Sequence, residues 1–349
     1  MHGGGVGAYN ALGEYIPIEF IFSNNQESIS KLSSVMHEAG LVDRIRTHPA
    51  GFRFMLPSLC DHDVYSGVGV PDLNNPNSPD ENGQTRAADG LLATKAAIAF
   101  TRNRVATSNV FLHGTSAGSI GSFGVAYSFE REGILLSGIV SDSHVMGPGI
   151  DDNADLFCMP FPYDRALLIP KIGPLATSAL YPEDIVAAGL ISVPIYHLWN
   201  TGDPACCGSV LQNYTDAQGN PFTEPGCAHE HTPYRDAITA NPPGGAGRSV
   251  SVEVCVNDLG TTTPGACNVH SPSKYPYTRA TPIGDQLSGG GDYNQAIVDW
   301  VDQRMADTLP PPPPPTVPAL SRWGLLLLAL LLPGLILWFA RRQRLLAKV

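Results

Sequence analysis

The nine-residue stretch Val110-Phe111-Leu112-His113-Gly114-Thr115-Ser116-Ala117-Gly118 constrains the chain most. An apolar run suited to a buried strand meets two glycines placed around a serine, and a helix-compatible segment follows. Gly114 and Gly118 permit close backbone approach. The serine is forced onto a sharp turn, with Oγ exposed at the positive end of the next helix. A glycine-rich turn with an idle serine is the simpler alternative, so the surroundings of the motif decide.

Those surroundings alternate strand and helix patterns. A helix is expected over 25–40, where Ile29, Leu32, Val35 and Met36 recur at helical spacing and Gly40 is placed to cap the end. Phe52 to Leu56 reads as a short buried strand, 71–83 as turn-rich loop and 86–104 as an alanine-rich helix. Further strands are expected at 109–113, 138–141, 193–199 and 250–256, with helices at 117–130 and 293–305. Residues 147–190 read as an irregular cap region. The alternation indicates an α/β fold with a mainly parallel central sheet covered on both faces.

The charge balance excludes some partners. The chain carries 21 basic and 32 acidic side chains, and the last 30 residues hold five of the basic ones and no acidic one. The acidic remainder repels nucleic acid and weighs against a polyanionic substrate. None of the seven cysteines forms a metal-type C-x-x-C pair. Their loop-rich settings suit disulfides and an oxidising compartment, with buried free thiols as the alternative. No cofactor is expected.

Acyl transfer needs donors for the oxyanion, an acid and a base. His2-Gly3-Gly4-Gly5 has the form of an oxyanion loop, with Gly4 or Gly5 and the N–H after the nucleophile, on Ala117, as donors. In the α/β-hydrolase arrangement the order along the chain is Ser, acid, His. Asp203, just past the strand at 193–199, is the expected acid, with Asp142 in Ser141-Asp142-Ser143 as runner-up. A turn aspartate before Pro204 is the simpler role for Asp203. His270, past the last core strand, is the expected base, with His229 and His231 as competitors. Cys-Ala-His-Glu-His around those two has a metal-like look but no third ligand, so no metal site is expected. A bridge between Cys255 and Cys267 would rigidify the loop carrying His270.

Taken together, these residues resemble the pectin acetylesterase/Notum-like group of serine esterases. Leu59-Cys60-Asp61-His62-Asp63-Val64-Tyr65-Ser66-Gly67 is similar to that family's Tyr-Cys-x-Gly-Asp-Val-x-x-Gly segment. Ala87, Asp89 and Gly90 through Ser143 line up with it in order, and Cys267-Asn268-Val269-His270 is similar to its Cys-x-x-His segment. The family's oxyanion loop lacks the histidine found here as His2, and Ser or Cys usually stands where Thr115 is. The resemblance implies an α/β-hydrolase fold and ester cleavage through an acyl-serine. It points to acetyl or short acyl esters on extracellular carbohydrate. An extracellular polyester depolymerase or lipase-like carboxylesterase is the enzymatic alternative, and a catalytically silent surface binding module the non-enzymatic one.

The two ends carry further expectations. A catalytic domain over 1–308 is followed by a proline-rich linker at 309–318 and a segment at 319–349. Gly324 to Ala340 is an uncharged, leucine-rich run of 17 residues, short for a transmembrane helix, followed by Arg341, Arg342 and Arg344. Val317-Pro318-Ala319-Leu320-Ser321-Arg322-Trp323-Gly324 and this run resemble a bacterial sorting signal of the IPTL-CTERM type. The resemblance implies an exosortase-like sorting protease as partner, and export to the cell envelope or surface. At the other end, the oxyanion loop follows Met1 directly and no export signal precedes it. The expectation is that strands are missing there, roughly 60–120 residues by ordinary domain size.

Overall fold

The structure is a computed structural model. It describes residues 1, 8–9, 15–16, 29–57, 65–68, 70–71, 87–105, 107, 109–144, 181–215, 218–257, 267–275, 281–282 and 291–307. The chain divides into two units, Met1–Thr308 and Leu309–Val349. All described residues belong to the first.

Four parallel strands form the centre: β1 (Phe111–Thr115), β2 (Gly138–Asp142), β3 (Ile195–Asn200) and β6 (Val250–Cys255). They lie in the order β1-β2-β3-β6, and β7 (Thr281–Pro282) adds an antiparallel edge to β6. Between β3 and β6 the chain makes a hairpin of β4 (Leu211–Thr215) and β5 (Pro221–Pro225). The helices are α1 (Ile29–Val35), α2 (Leu41–Arg46), α3 (Gly90–Arg104), α4 (Ala117–Arg131), α5 (Pro182–Ala187), α6 (Gly226–Ala240) and α7 (Tyr293–Ala306).

Period-two burial explains why this sheet has helices on both faces. Leu112, Ile139 and Ile195 point to one side, into a core with Ile98 of α3, Ile120 and Phe123 of α4, Ile185 of α5 and Ile238 of α6. Val140, Tyr196, Leu198, Val252 and Val254 point to the other, against Leu41 of α2 and Ile297, Trp300 and Val301 of α7. Each fully buried aliphatic or aromatic side chain contributes about 1.5–3 kcal/mol relative to exposure. The indole of Trp300 lies so close to β2 that a Cβ on Gly138 would stand 2.5 Å from it. In α4 every residue from Ala117 to Phe129 is buried, so this helix is enclosed all round.

Several expectations are corrected. Of the helix expected over 25–40, residues 25–28 lie outside the described residues, α1 covers Ile29–Val35, and a second helix, α2, begins after Gly40. Gly40 does not end a helix in the left-handed conformation. It is a contact point, where a Cβ would stand 2.0 Å from the Ser273 carbonyl oxygen. Phe52 to Leu56 is not a strand, because no described strand pairs with it. The hairpin β4–β5 and helix α6 were not anticipated. Pro233 inside α6 and the polar run of Cys-Ala-His-Glu-His hide its helical pattern. Of the expected cap only α5 is described, since 145–180 lie outside the described residues. Among the described residues no helix is long and apolar enough to cross a membrane. The run 324–340 lies outside them.

Candidate active site

Ser116, Asp142, Asp203 and His270 lie at or beyond the carboxyl ends of the parallel strands, the edge at which open α/β sheets bind ligands. The register brings these ends level: Thr115 faces Asp142, and Asp142 faces Leu198. Ser116 follows β1, Asp203 follows β3, and His270 follows β6 after an intervening loop.

Ser116 occupies φ 54°, ψ −126°, between the last residue of β1 and the first of α4. A non-glycine residue there stores about 1–3 kcal/mol of strain, held by the elements on either side. Two features impose the turn. A Cβ on Gly114 would stand 2.0 Å from the Gly118 carbonyl oxygen, so only glycine lets strand and helix approach this closely. The Ser116 N–H also donates to the Asp142 carbonyl at 2.9 Å, extending the β1–β2 ladder into the turn. Ser116 is half-buried, and Ala117 beside it is fully buried at the start of α4. Gly4 and Gly5, the other expected oxyanion donors, lie outside the described residues.

Asp203 and His270 come together. The imidazole Nδ1 stands 2.9 and 2.8 Å from the two carboxylate oxygens. Asp203 is completely buried, and the His270 side chain is about one-third exposed. Asp203 also fills the turn role expected of an aspartate before proline: its Oδ1 accepts from the Ala205 N–H at 2.8 Å and caps the short 3-10 turn at 204–206. The two roles therefore coexist in one carboxylate. Among the described residues His270 Nε2 has no hydrogen bond, and none joins His270 to Ser116. Such contacts are commonly long before substrate binds.

The runner-up residues are engaged elsewhere. Asp142 accepts from Ser273 rather than from a histidine. His229 Nδ1 faces Glu224 at 3.0 Å, and its ring stacks on Tyr214. His231 is fully buried, 3.2 Å from His197 Nε2, with burial holding its pKa down at about 4. The metal-like spacing thus sends its two imidazoles to different neighbours. Among the described residues no group of three or more His, Cys, Asp or Glu side chains is placed to hold a metal ion.

Two disulfides brace the site. Cys206–Cys227 ties the turn after Asp203 to α6, and Cys255–Cys267 closes the loop before His270. Cys207 is disulfide-bonded as well. These bridges indicate an oxidising environment.

Asn200, the last residue of β3, carries no sequence signal, yet it clamps the loop that carries His270. Its Nδ2 donates to the carbonyls of Val256, Cys267 and Val269 at 2.5–2.9 Å, and its Oδ1 accepts from the Val256 N–H at 3.0 Å. An amide has two protons, so three carbonyls share them. With Asn200 fully buried, removing the amide strands several backbone groups without water. Asn200→Ala is expected to lower the unfolding free energy by about 3 kcal/mol, measured by urea denaturation. A loss below about 1 kcal/mol would show that the clamp carries no such weight.

Compared with known proteins, the chain matches no family model, no curated protein and no solved structure.

Proposed function

We propose that this protein is a serine esterase of the α/β-hydrolase kind, acting on acetyl or short acyl esters. The observation that carries this reading is the strained, strand-to-helix Ser116 together with a paired His270 and buried Asp203, all following carboxyl ends of strands of one parallel sheet. His270 Nε2 takes the proton from Ser116 Oγ as the oxygen attacks the ester carbonyl. Asp203 fixes the imidazole with the Nδ1 proton inward and stabilises the imidazolium that forms. The Ala117 N–H, together with Gly4 or Gly5, receives the negative charge on the carbonyl oxygen, each donor worth about 3 kcal/mol of barrier. His270 then protonates the departing alcohol. It next deprotonates the water that releases the acid from the acyl-serine.

Carbohydrate-linked esters outside the cytoplasm are the proposed substrates. The disulfides support that location, and the resemblance to pectin acetylesterases supports the substrate class. In this reading the segment 319–349 is a sorting signal with a membrane-embedded run, presented to an exosortase-like protease. A fluorophosphonate probe tests the chemistry, because it reacts only with a serine that a neighbouring base activates. The expected result is a single adduct on Ser116. A folded protein that acquires none overturns the reading and leaves a binding module.

A further inference from the structure

His270 is secured on one flank by Asn200 and the Cys255–Cys267 bridge. A different set of residues secures the other flank. Asp142 Oδ2 accepts from the Ser273 backbone N–H at 2.9 Å and from the Ser273 hydroxyl at 2.5 Å. Its neighbour Ser143 donates to Asp142 Oδ1 at 3.2 Å and accepts from the Ser271 N–H at 3.0 Å. The proton order follows from these partners. The single hydroxyl proton of Ser273 goes to Asp142, so His113 Nε2, 3.0 Å away, is the donor toward Ser273 Oγ. Residues 271–273 are thereby stitched to two neighbouring strands, to the middle of β1 through His113 and to the end of β2 through Asp142 and the adjoining Ser143.

Backbone strain shows why the stitching is needed. Ser143 and Ser271 both have left-handed backbone, at φ 53° and 60°, without being glycine. Each such residue is strained and relaxes unless its surroundings hold it. Relaxation at Ser271 would swing the residue next to it, which is His270. Asp142, Ser143, Ser271 and Ser273 are all fully buried, so water cannot replace the missing partners.

We infer that Asp142 is a positioning residue for the base: by accepting from Ser273 it holds the downstream flank of the His270 loop in the strained conformation that aims the imidazole. This rests on the esterase reading above and assigns Asp142 a role distinct from the acid, Asp203. Hydrogen-bond acceptance is the property that matters, not charge. The groups facing the carboxyl are consistent with that. His270 and Lys274 lie near it, Tyr293 and Asp292 lie on the neighbouring helix end, and burial outweighs the stabilising contacts to raise its pKa to about 6. A carboxyl raised above its ordinary value of 3.8 favours the folded state most when protonated. Its contribution to stability therefore falls as pH rises from about 4 to about 6. An amide at this position keeps an oxygen for Ser273 and avoids that cost.

Three variants test the inference: Asp142→Asn, Asp142→Ala and Ser273→Ala. Turnover of p-nitrophenyl acetate is measured per active site, with sites counted by fluorophosphonate titration. Asp142→Asn is expected to keep kcat within about threefold of wild type and to melt no lower at pH 8. Asp142→Ala is expected to lose at least about tenfold in kcat, with KM nearly unchanged, because the base is misaimed rather than the substrate unbound. Ser273→Ala removes one of the two bonds and falls between them. A purely structural role would lower melting and the fraction of titratable sites, leaving kcat per site unmoved. That result overturns the inference, as does an Asp142→Asn variant as slow as Asp142→Ala. A wild-type protein that does not react with the probe sinks the esterase reading instead, so the two failures are distinct.

Discussion

Ser116→Ala is expected to cut kcat for p-nitrophenyl acetate by about 10⁶-fold, with the melting temperature unchanged. The size of the loss follows from the role of the oxygen: without Oγ no acyl-enzyme forms, and what remains is the electrostatic assistance of the oxyanion donors, about 10³–10⁴ over water. Stability is unaffected because alanine inherits the same φ of 54°, with the same strain, and Ser116 Oγ makes no hydrogen bond among the described residues. Equal turnover in the variant and the wild type would remove the nucleophile and with it the mechanism.

Asp203→Asn comes next in magnitude, at about 10⁴-fold in kcat. Here the cap determines the outcome. Asp203 Oδ1 is held by the Ala205 N–H, so an asparagine places its carbonyl oxygen there and turns its NH₂ toward His270. Nδ1 must then accept, the imidazole proton moves to Nε2, and the ring can no longer take a proton from Ser116. The variant keeps the cap and should melt like wild type. Asp203→Ala loses the cap too, and should also be destabilised by about 1 kcal/mol. An Asp203→Asn enzyme retaining a tenth of wild-type kcat would show that the pair with His270 does not set the tautomer.

The parts of this site legible in the sequence are those written in local pattern. The β1–Ser116–α4 unit is contiguous, and the glycine at 114 is dictated by a contact four residues away, so a short motif describes it. Strands β2 and β3 carry apolar residues to both cores, and such runs survive in sequence because both faces are buried, whereas β6 alternates Val250, Val252 and Val254 with Ser251 and Glu253. Asp203 and His270 were legible only as positions just past strands, since their contact joins residues from separate loops. Asn200 carried no signal at all. Its importance lies in three carbonyls from another segment, and a carbonyl has no residue type. Asp142 in Ser141-Asp142-Ser143 reads as an alternative acid. Its Ser273 contact joins segments 131 residues apart, which no spacing encodes. Helix α6 was missed because proline and polar residues interrupt its pattern, although its buried face carries Cys227, His231 and Tyr234 against β3 and the Asp203 turn.

The strand order also bears on when activity can arise. The turn that holds the proposed nucleophile needs only β1, α4 and β2, which are consecutive in the chain. The proposed base, His270, comes after β6, which pairs with β3 and not with the strand before the serine. A chain still being made, with β6 not yet synthesised, therefore holds a positioned serine without a histidine to deprotonate it. Contacts so distant along the chain form late, after long loop closure. If the protein is the esterase proposed above, activity would then switch on only once β6 has joined the sheet, so that partly made or partly unfolded chains stay inert toward the esters around them.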